Sequence, residues 1–136
     1  MKLVNALNPL DVVQLPDTLM WNDEMQWAPV VSAYSYTLTG ALLIETAVMQ
    51  KGRKITLEPA DAEMGWVQRS TVEKLYEWAN VQGRRMTLVL EYPDDVREFT
   101  VMFRHSDGAL DSKPVKGFPE HEPDSWWTIV LRLIEV

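Results

Sequence analysis

Two histidines, three clusters of carboxylates and six tryptophans are the residues in this chain whose types bear on chemistry. His105 stands in Arg104-His105-Ser106-Asp107, where serine, histidine and aspartate are neighbours. A nucleophilic triad needs its three groups to converge in space, and adjacent residues on one turn do not face one another in that geometry. His121 lies in an acidic loop with Glu120, Glu122 and Asp124. Successive side chains of extended backbone point apart, and no second histidine stands at helical spacing, so this segment reads as a solvated loop. Glu58, Asp61 and Glu63 lack the ordered oxygen spacing and the glycine of a calcium loop. No phosphate-binding glycine loop or dinucleotide fingerprint occurs. The residue types therefore give no expected catalytic residue, metal site or cofactor.

Tryptophan is the more informative type. Trp21, Trp27, Trp66, Trp78, Trp126 and Trp127 are candidates for core packing, for the hot spots of a protein interface, or for a platform that stacks sugars. Trp126 and Trp127 are adjacent in an extended segment, so they face opposite ways. One can enter the core while the other faces outward or into a partner.

The composition bounds these options. A chain of 136 residues forms one domain with a real core. The 46% hydrophobic and 10% aromatic content is that of a folded globular protein. A formal net charge of −7 disfavours phosphate neutralisation on nucleic acid and attraction to anionic membranes. The absence of cysteine excludes disulfides and thiolate chemistry. The start of the chain, interrupted by Asn5, Asn8 and Pro9, lacks the apolar run of a signal peptide, and no window reaches the length of a membrane span.

The elements that must position the tryptophans are mostly strands. Met1 to Pro16 reads as an arm or as short edge strands. Val31 to Leu38 and Ala41 to Met49 alternate around a Thr39-Gly40 turn, and Ile55 to Glu58 follows, giving a hairpin or a three-strand meander. Apolar residues occupy both faces of Ala41 to Met49, which calls for a central position or for cover by another subunit. Arg85 to Tyr92 and Val96 to Arg104 form the clearest hairpin, with Phe99, Val101 and Phe103 on one face and a mostly polar set, Arg97, Glu98, Thr100 and Arg104, assigned to the other. Trp126 to Val136 is too apolar for a frayed tail, and is expected to be central or paired across an interface.

One helix is expected, Ser70 to Gln82. Ser70 and Glu73 have the spacing of a capping box, Val72, Leu75, Tyr76 and Ala79 form an apolar stripe, and Gly83 supplies the stop. Trp78 and Val81 fall off that stripe. The fold expected is mainly β, an antiparallel β-sandwich or partly closed barrel with this helix covering an open side.

The order and texture of these stretches resemble small tail-tube-end and baseplate proteins of tailed bacteriophages, the β-sandwich group of distal tail protein N-terminal domains and tube initiators. The resemblance is carried by Leu19-Met20-Trp21 with Asp23-Glu24, Thr39 to Glu45, Gly52 to Leu57, Arg69-Ser70-Thr71, the hairpin ending Phe99 to Arg104, and Trp127 to Leu133. It implies a non-catalytic virion subunit, assembled in the host cytoplasm into a ring, usually sixfold, that joins tube to hub. Its partners are then copies of itself and the tail-tube and baseplate hub proteins, with DNA a passing contact and no membrane. The surfaces expected to meet partners are Trp21, Trp27, Trp78, Val81, Trp126 and Val136. A carbohydrate-binding β-sandwich using exposed tryptophans is the alternative.

Overall fold

The structure is a computed structural model describing residues 1–119 and 121–136. It is mainly antiparallel β with one α-helix, as the alternating patterns require. Eleven strands are present among the described residues: β1 (Lys2–Asn5), β2 (Asn8–Gln14), β3 (Leu19–Trp21), β4 (Val30–Tyr36), β5 (Leu42–Val48), β6 (Lys54–Pro59), β7 (Trp66–Gln68), β8 (Met86–Tyr92), β9 (Asp95–Phe103), β10 (Leu110–Pro114) and β11 (Trp126–Glu135). Nine of them form one sheet in the order β2-β1-β8-β9-β11-β6-β3, with β10 and β7 also paired to β11. β4 and β5 form a separate two-stranded sheet.

β11 is the centre, as its apolar sequence demands. Its ten residues pair with β9 and β10 on one side and with β6 and β7 on the other. Ile129, Leu131 and Leu133 point inward and are fully buried, together with Ile55 and Leu57 of β6 and Val101 of β9. The sheet curls far enough for Trp21 on β3 to meet Phe99 on β9 edge to face, with centroids 5.5 Å apart. β2 and β3 remain the two ends of the strand order, and no pairing between them closes a barrel among the described residues.

Residues 1–16 are not an arm: β1 lies within the sheet between β2 and β8, where Leu3 pairs with Leu88, only β2 is at an end, and Met1 and Leu3 are buried in the core. The expected meander is also broken, because β6 turns away from β5 to pair with β3 and β11.

Helix α1 (Arg69–Ala79) packs on β2, β7, β10 and β11. Three expectations about it are corrected. Ser70 does not cap it; Gln68 is the capping position and no side-chain cap forms. The first amides are instead satisfied by carbonyls of the neighbouring loop, Arg69 N to Ser125 O at 2.9 Å and Ser70 N to Pro123 O at 3.2 Å. The helix also ends earlier than expected: Ala79 is its last residue and Asn80 caps the end. The buried stripe is rotated as well, running through Val72, Leu75, Trp78 and Ala79, while Tyr76 is 61% exposed. Docking beneath the 120s loop turns the largest side chain, Trp78, inward, since it buries most apolar area.

Candidate functional site

β4 and β5 build the surface that sets this protein apart. The seven-residue strands pair in register from Val30↔Val48 to Tyr36↔Leu42. The tip is the Thr39-Gly40 turn read from the sequence, with Gly40 at φ +82° and the Thr37 amide bonded to Ala41 O. Every residue of both strands is exposed. Cover, the second of the two explanations for apolar residues on both faces, is therefore not supplied by the described residues. A lone hairpin is marginal in water, so this one depends on something beyond its own pairing.

Directly opposed residues share a face. One face carries Val30, Val48, Tyr34, Ile44, Tyr36 and Leu42 beside Ser32 and Thr46, and the other carries Val31, Ala47, Ala33, Ser35, Leu43 and Glu45. The first is mostly apolar, interrupted by the Ser32–Thr46 pair, with Tyr34 67% and Tyr36 77% exposed. From Ala28 to Ile44 no residue is charged.

The hairpin projects from a root that is firmly tied. Entering it, Asp23 accepts hydrogen bonds from Thr56 N and Thr56 Oγ1, both at 2.9 Å. Glu24 pairs with Arg97 at 2.7 Å, and its carbonyl accepts from Arg53 Nη2 at 2.7 Å. The bond from Glu24 holds the Arg97 guanidinium above its ordinary pKa, against the opposing effect of burial. Arg53 lies 4.5 Å over Trp21 and 5.8 Å from Trp27, cation–π contacts that pin the exit beside the entry. Gly52 N donates to Glu135 O, and Glu135 N donates to Arg53 O. The acids beside Trp21 and Trp27 thus brace the base of the hairpin.

A second feature is a cleft of about 680 Å³ beside β7 and β11, lined by Trp66, Trp126, Val115, His121, Glu122 and Asp124 among others. Trp66 and Trp126 share one sheet face because Trp126 pairs with Gln68 and Trp66 with Thr128. They are 39% and 48% exposed. Trp66 Nε1 donates to Ala62 O at 3.0 Å, which fixes its ring. Trp127 faces the other way, half-buried under Arg69, so the adjacent pair divides as the strand geometry requires.

The residues expected at partner surfaces separate. Trp126 and Val81 are exposed, Trp27 and Val136 are half-buried, and Trp21 and Trp78 are corrections: at 6% and 4% exposure they belong to the core. The wet face assigned to β9 is corrected too. Arg97 lies on the same face as Phe99 and Val101, 5.4 Å over Trp21, and Arg104 is 8% exposed, paired with Asp107 at 2.9 Å and donating to Thr56 Oγ1. Tyr34, Tyr36 and Ile44, exposed on β4 and β5, were not among the residues expected at partner surfaces. The chargeless run from Ala28 to Ile44 was the available signal.

His105, Ser106 and Asp107 form a short 3-10 turn. His105 Nε2 lies 2.7 Å from Ala79 O, at the end of α1, while Asp107 binds Arg104 and Lys54. These groups brace the fold and do not converge. Glu58, on β6, accepts from Asn22 Nδ2, and in the loop that follows Asp61 accepts from the Glu63 amide. Among the described residues no three His, Asp or Glu side chains are grouped to hold a metal ion, and no helix is long and apolar enough to cross a membrane. Glu120, part of the acidic loop read from the sequence, lies outside the described residues.

Comparison with known proteins returns no match: no family model fits the chain, and no curated protein or solved structure matches it significantly. The fold and the hairpin together define a curled antiparallel β domain with one helix and a projecting, uncovered two-stranded arm.

Proposed function

We propose that this protein is a structural assembly subunit, and specifically a ring-forming virion protein of a phage tail, placed at the tube end or baseplate where it joins tube to hub without catalysis. The observation that carries the reading is the β4–β5 hairpin, whose exposed apolar faces and firmly braced root suit a part completed by other chains. The resemblance in element order supplies the narrower placement in the tail. Copies of this chain, tube protein and hub protein are the partners in this reading. Its net charge of −7 suits a ring through which DNA slides without adhering. Assembly takes place in the host cytoplasm and the product resides in the virion tail.

The test is light scattering and electron microscopy of the purified protein, alone and mixed with tube and hub proteins. Rings, or complexes containing this chain, are expected. A strict monomer in every mixture overturns the reading.

The Trp66–Trp126 cleft favours a second reading, a carbohydrate-binding module, because two oriented indoles stand beside His121, Glu122 and Asp124. Tryptophan fluorescence should then shift on titration with host cell-wall sugars, and Trp126→Ala should abolish the shift. No change over a broad glycan panel removes this reading.

A further inference from the structure

The walls of the Trp66–Trp126 cleft differ in chemistry, and together they select among ligands. One wall is the β7–β11 ladder. Trp126 pairs with Gln68 and Trp66 with Thr128, so the two indoles occupy diagonal positions on one face, with Cβ atoms about 7–8 Å apart. Trp66 Nε1 is occupied by Ala62 O at 3.0 Å, which leaves the faces of that ring to contact a ligand. A second wall is the turn from Glu122 to Ser125. Ser125 N donates to Glu122 O at 3.0 Å, and at the start of α1 Arg69 N and Ser70 N donate to Ser125 O and Pro123 O at 2.9 and 3.2 Å. The turn that carries Glu122 and Asp124 is thus fixed to the helix by its backbone, and a ligand does not have to order it.

The charge of the lining is the selective feature. Glu122 and Asp124 stand against one ammonium, Lys116, with His121 counted neutral. Among the described residues neither carboxylate is engaged in an ion pair or a side-chain hydrogen bond, whereas Asp11, Glu24, Asp107, Asp111 and Glu135 elsewhere are all paired. The face of an indole carries the negative lobe of the ring quadrupole, so C–H groups and cations rest on it favourably. Two such rings beside two unpaired carboxylates favour a cationic ligand with an apolar face and repel an anionic one. The net charge of −7 acts in the same direction at longer range. Size narrows the class further. At about 680 Å³ the cleft is larger than a bare ammonium headgroup fills, and it falls within the roughly 300–1,000 Å³ of sites that hold whole small molecules. The cation must therefore arrive attached to a ring system.

We infer, resting on the carbohydrate reading, that the cleft takes an amino sugar whose amine is free and protonated. A pyranose ring stacks its C–H face on an indole while its ammonium group meets Glu122 or Asp124. N-acetylation of the same glycan removes the charge and with it the ion pair. Glycans that bear phosphate or carboxylate groups are repelled by the two carboxylates.

The test compares a glucosamine trisaccharide with its N-acetylated counterpart on the full chain, by calorimetric titration and tryptophan fluorescence. The free-amine trisaccharide is expected to bind about tenfold more tightly, the combined effect of one exposed cation–π contact and one exposed ion pair, and the preference is expected to shrink as salt is raised. Glu122→Gln combined with Asp124→Asn is expected to bring the two trisaccharides to equal affinity, since the backbone bonds of the turn are untouched. Trp126→Ala is expected to remove binding of both, and circular dichroism of each variant verifies that it folds. Equal or tighter binding of the N-acetylated trisaccharide overturns amine recognition and leaves the carbohydrate reading standing. A free-amine preference that survives in the double variant overturns the role of the two carboxylates. Tetramethylammonium binding as tightly as the trisaccharide overturns the part given to the sugar ring. Binding of neither trisaccharide overturns the inference, and the carbohydrate reading falls with it only if the broad glycan panel is also blank.

Discussion

Replacing Trp78 by alanine separates a core role from a surface role, and the structure gives the size of the effect. Trp78 is 4% exposed and packs in the core cluster with Leu75 under α1, with the Lys74 ammonium 5.7 Å from its ring. Truncating a buried tryptophan removes its transfer free energy and leaves a cavity, together about 3–5 kcal/mol. A domain of this size is stable by about 5–15 kcal/mol, so the change removes a large share of it. Urea unfolding followed by far-UV circular dichroism should show a midpoint lowered in proportion with the slope unchanged. Tyr34→Ser in the hairpin is the matched control: Tyr34 is 67% exposed, and its loss should change the stability of the monomer by under about 0.5 kcal/mol. A Trp78→Ala protein within about 1 kcal/mol of wild type but defective in assembly would refute the core placement and restore Trp78 to an interface.

Ser70→Ala should change stability by less than about 0.5 kcal/mol, against the ~1 kcal/mol expected of a lost cap, because Ser70 makes no side-chain cap and loop carbonyls hold the first amides; the same urea titration decides it. Gly65→Ala should cost about 2 kcal/mol, since Gly65 has φ +72° and an added Cβ would lie 3.0 Å from both Leu19 Cδ2 and Pro59 Cβ; a thermal melt unchanged from wild type would contradict this. Asp11 should titrate below the ordinary carboxylate range of about 3.9, because the Lys74 hydrogen bond favours its charged form. A depressed folded pKa means that the stabilisation is present above the unfolded value and is lost as pH falls through the folded one. Carbon-detected NMR titration of Asp11 in wild type and Lys74→Met should show the midpoint rise in the variant, and an unmoved midpoint would rule out the pair as its cause.

The strands and the helix were legible in the sequence because their patterns are local. β11 alternates Ile129, Leu131 and Leu133 with half-exposed residues, and its burial on the inner face follows from period two alone. The β8–β9 hairpin and the Thr39-Gly40 turn were legible for the same reason. The capping box at Ser70 was misread because its amides are met by a loop distant in sequence, and a local rule cannot anticipate that competitor. Trp78 and Tyr76 exchanged places for a related reason: both lie near the apolar side of α1, and docking against β2, β7, β10 and β11 chose the indole. The fate of Arg97 and Arg104 likewise depended on groups far along the chain, Glu24 and Trp21 for one and Thr56 for the other.

By itself the sequence determined an antiparallel β domain with one helix, since side-chain periodicity and turn chemistry are properties of short segments. It also held apolar residues on both faces of Ala41 to Met49, without distinguishing a central strand from one awaiting cover. Only the tertiary structure made that decision. β6 leaves β5 to complete the sheet around β11, and the Asp23, Glu24 and Arg53 bracing turns β4 and β5 away from the body. Which strands pair is a competition among distant segments for the same edges. The hairpin's exposure is the outcome of that competition, so it is not written in the hairpin's own residues.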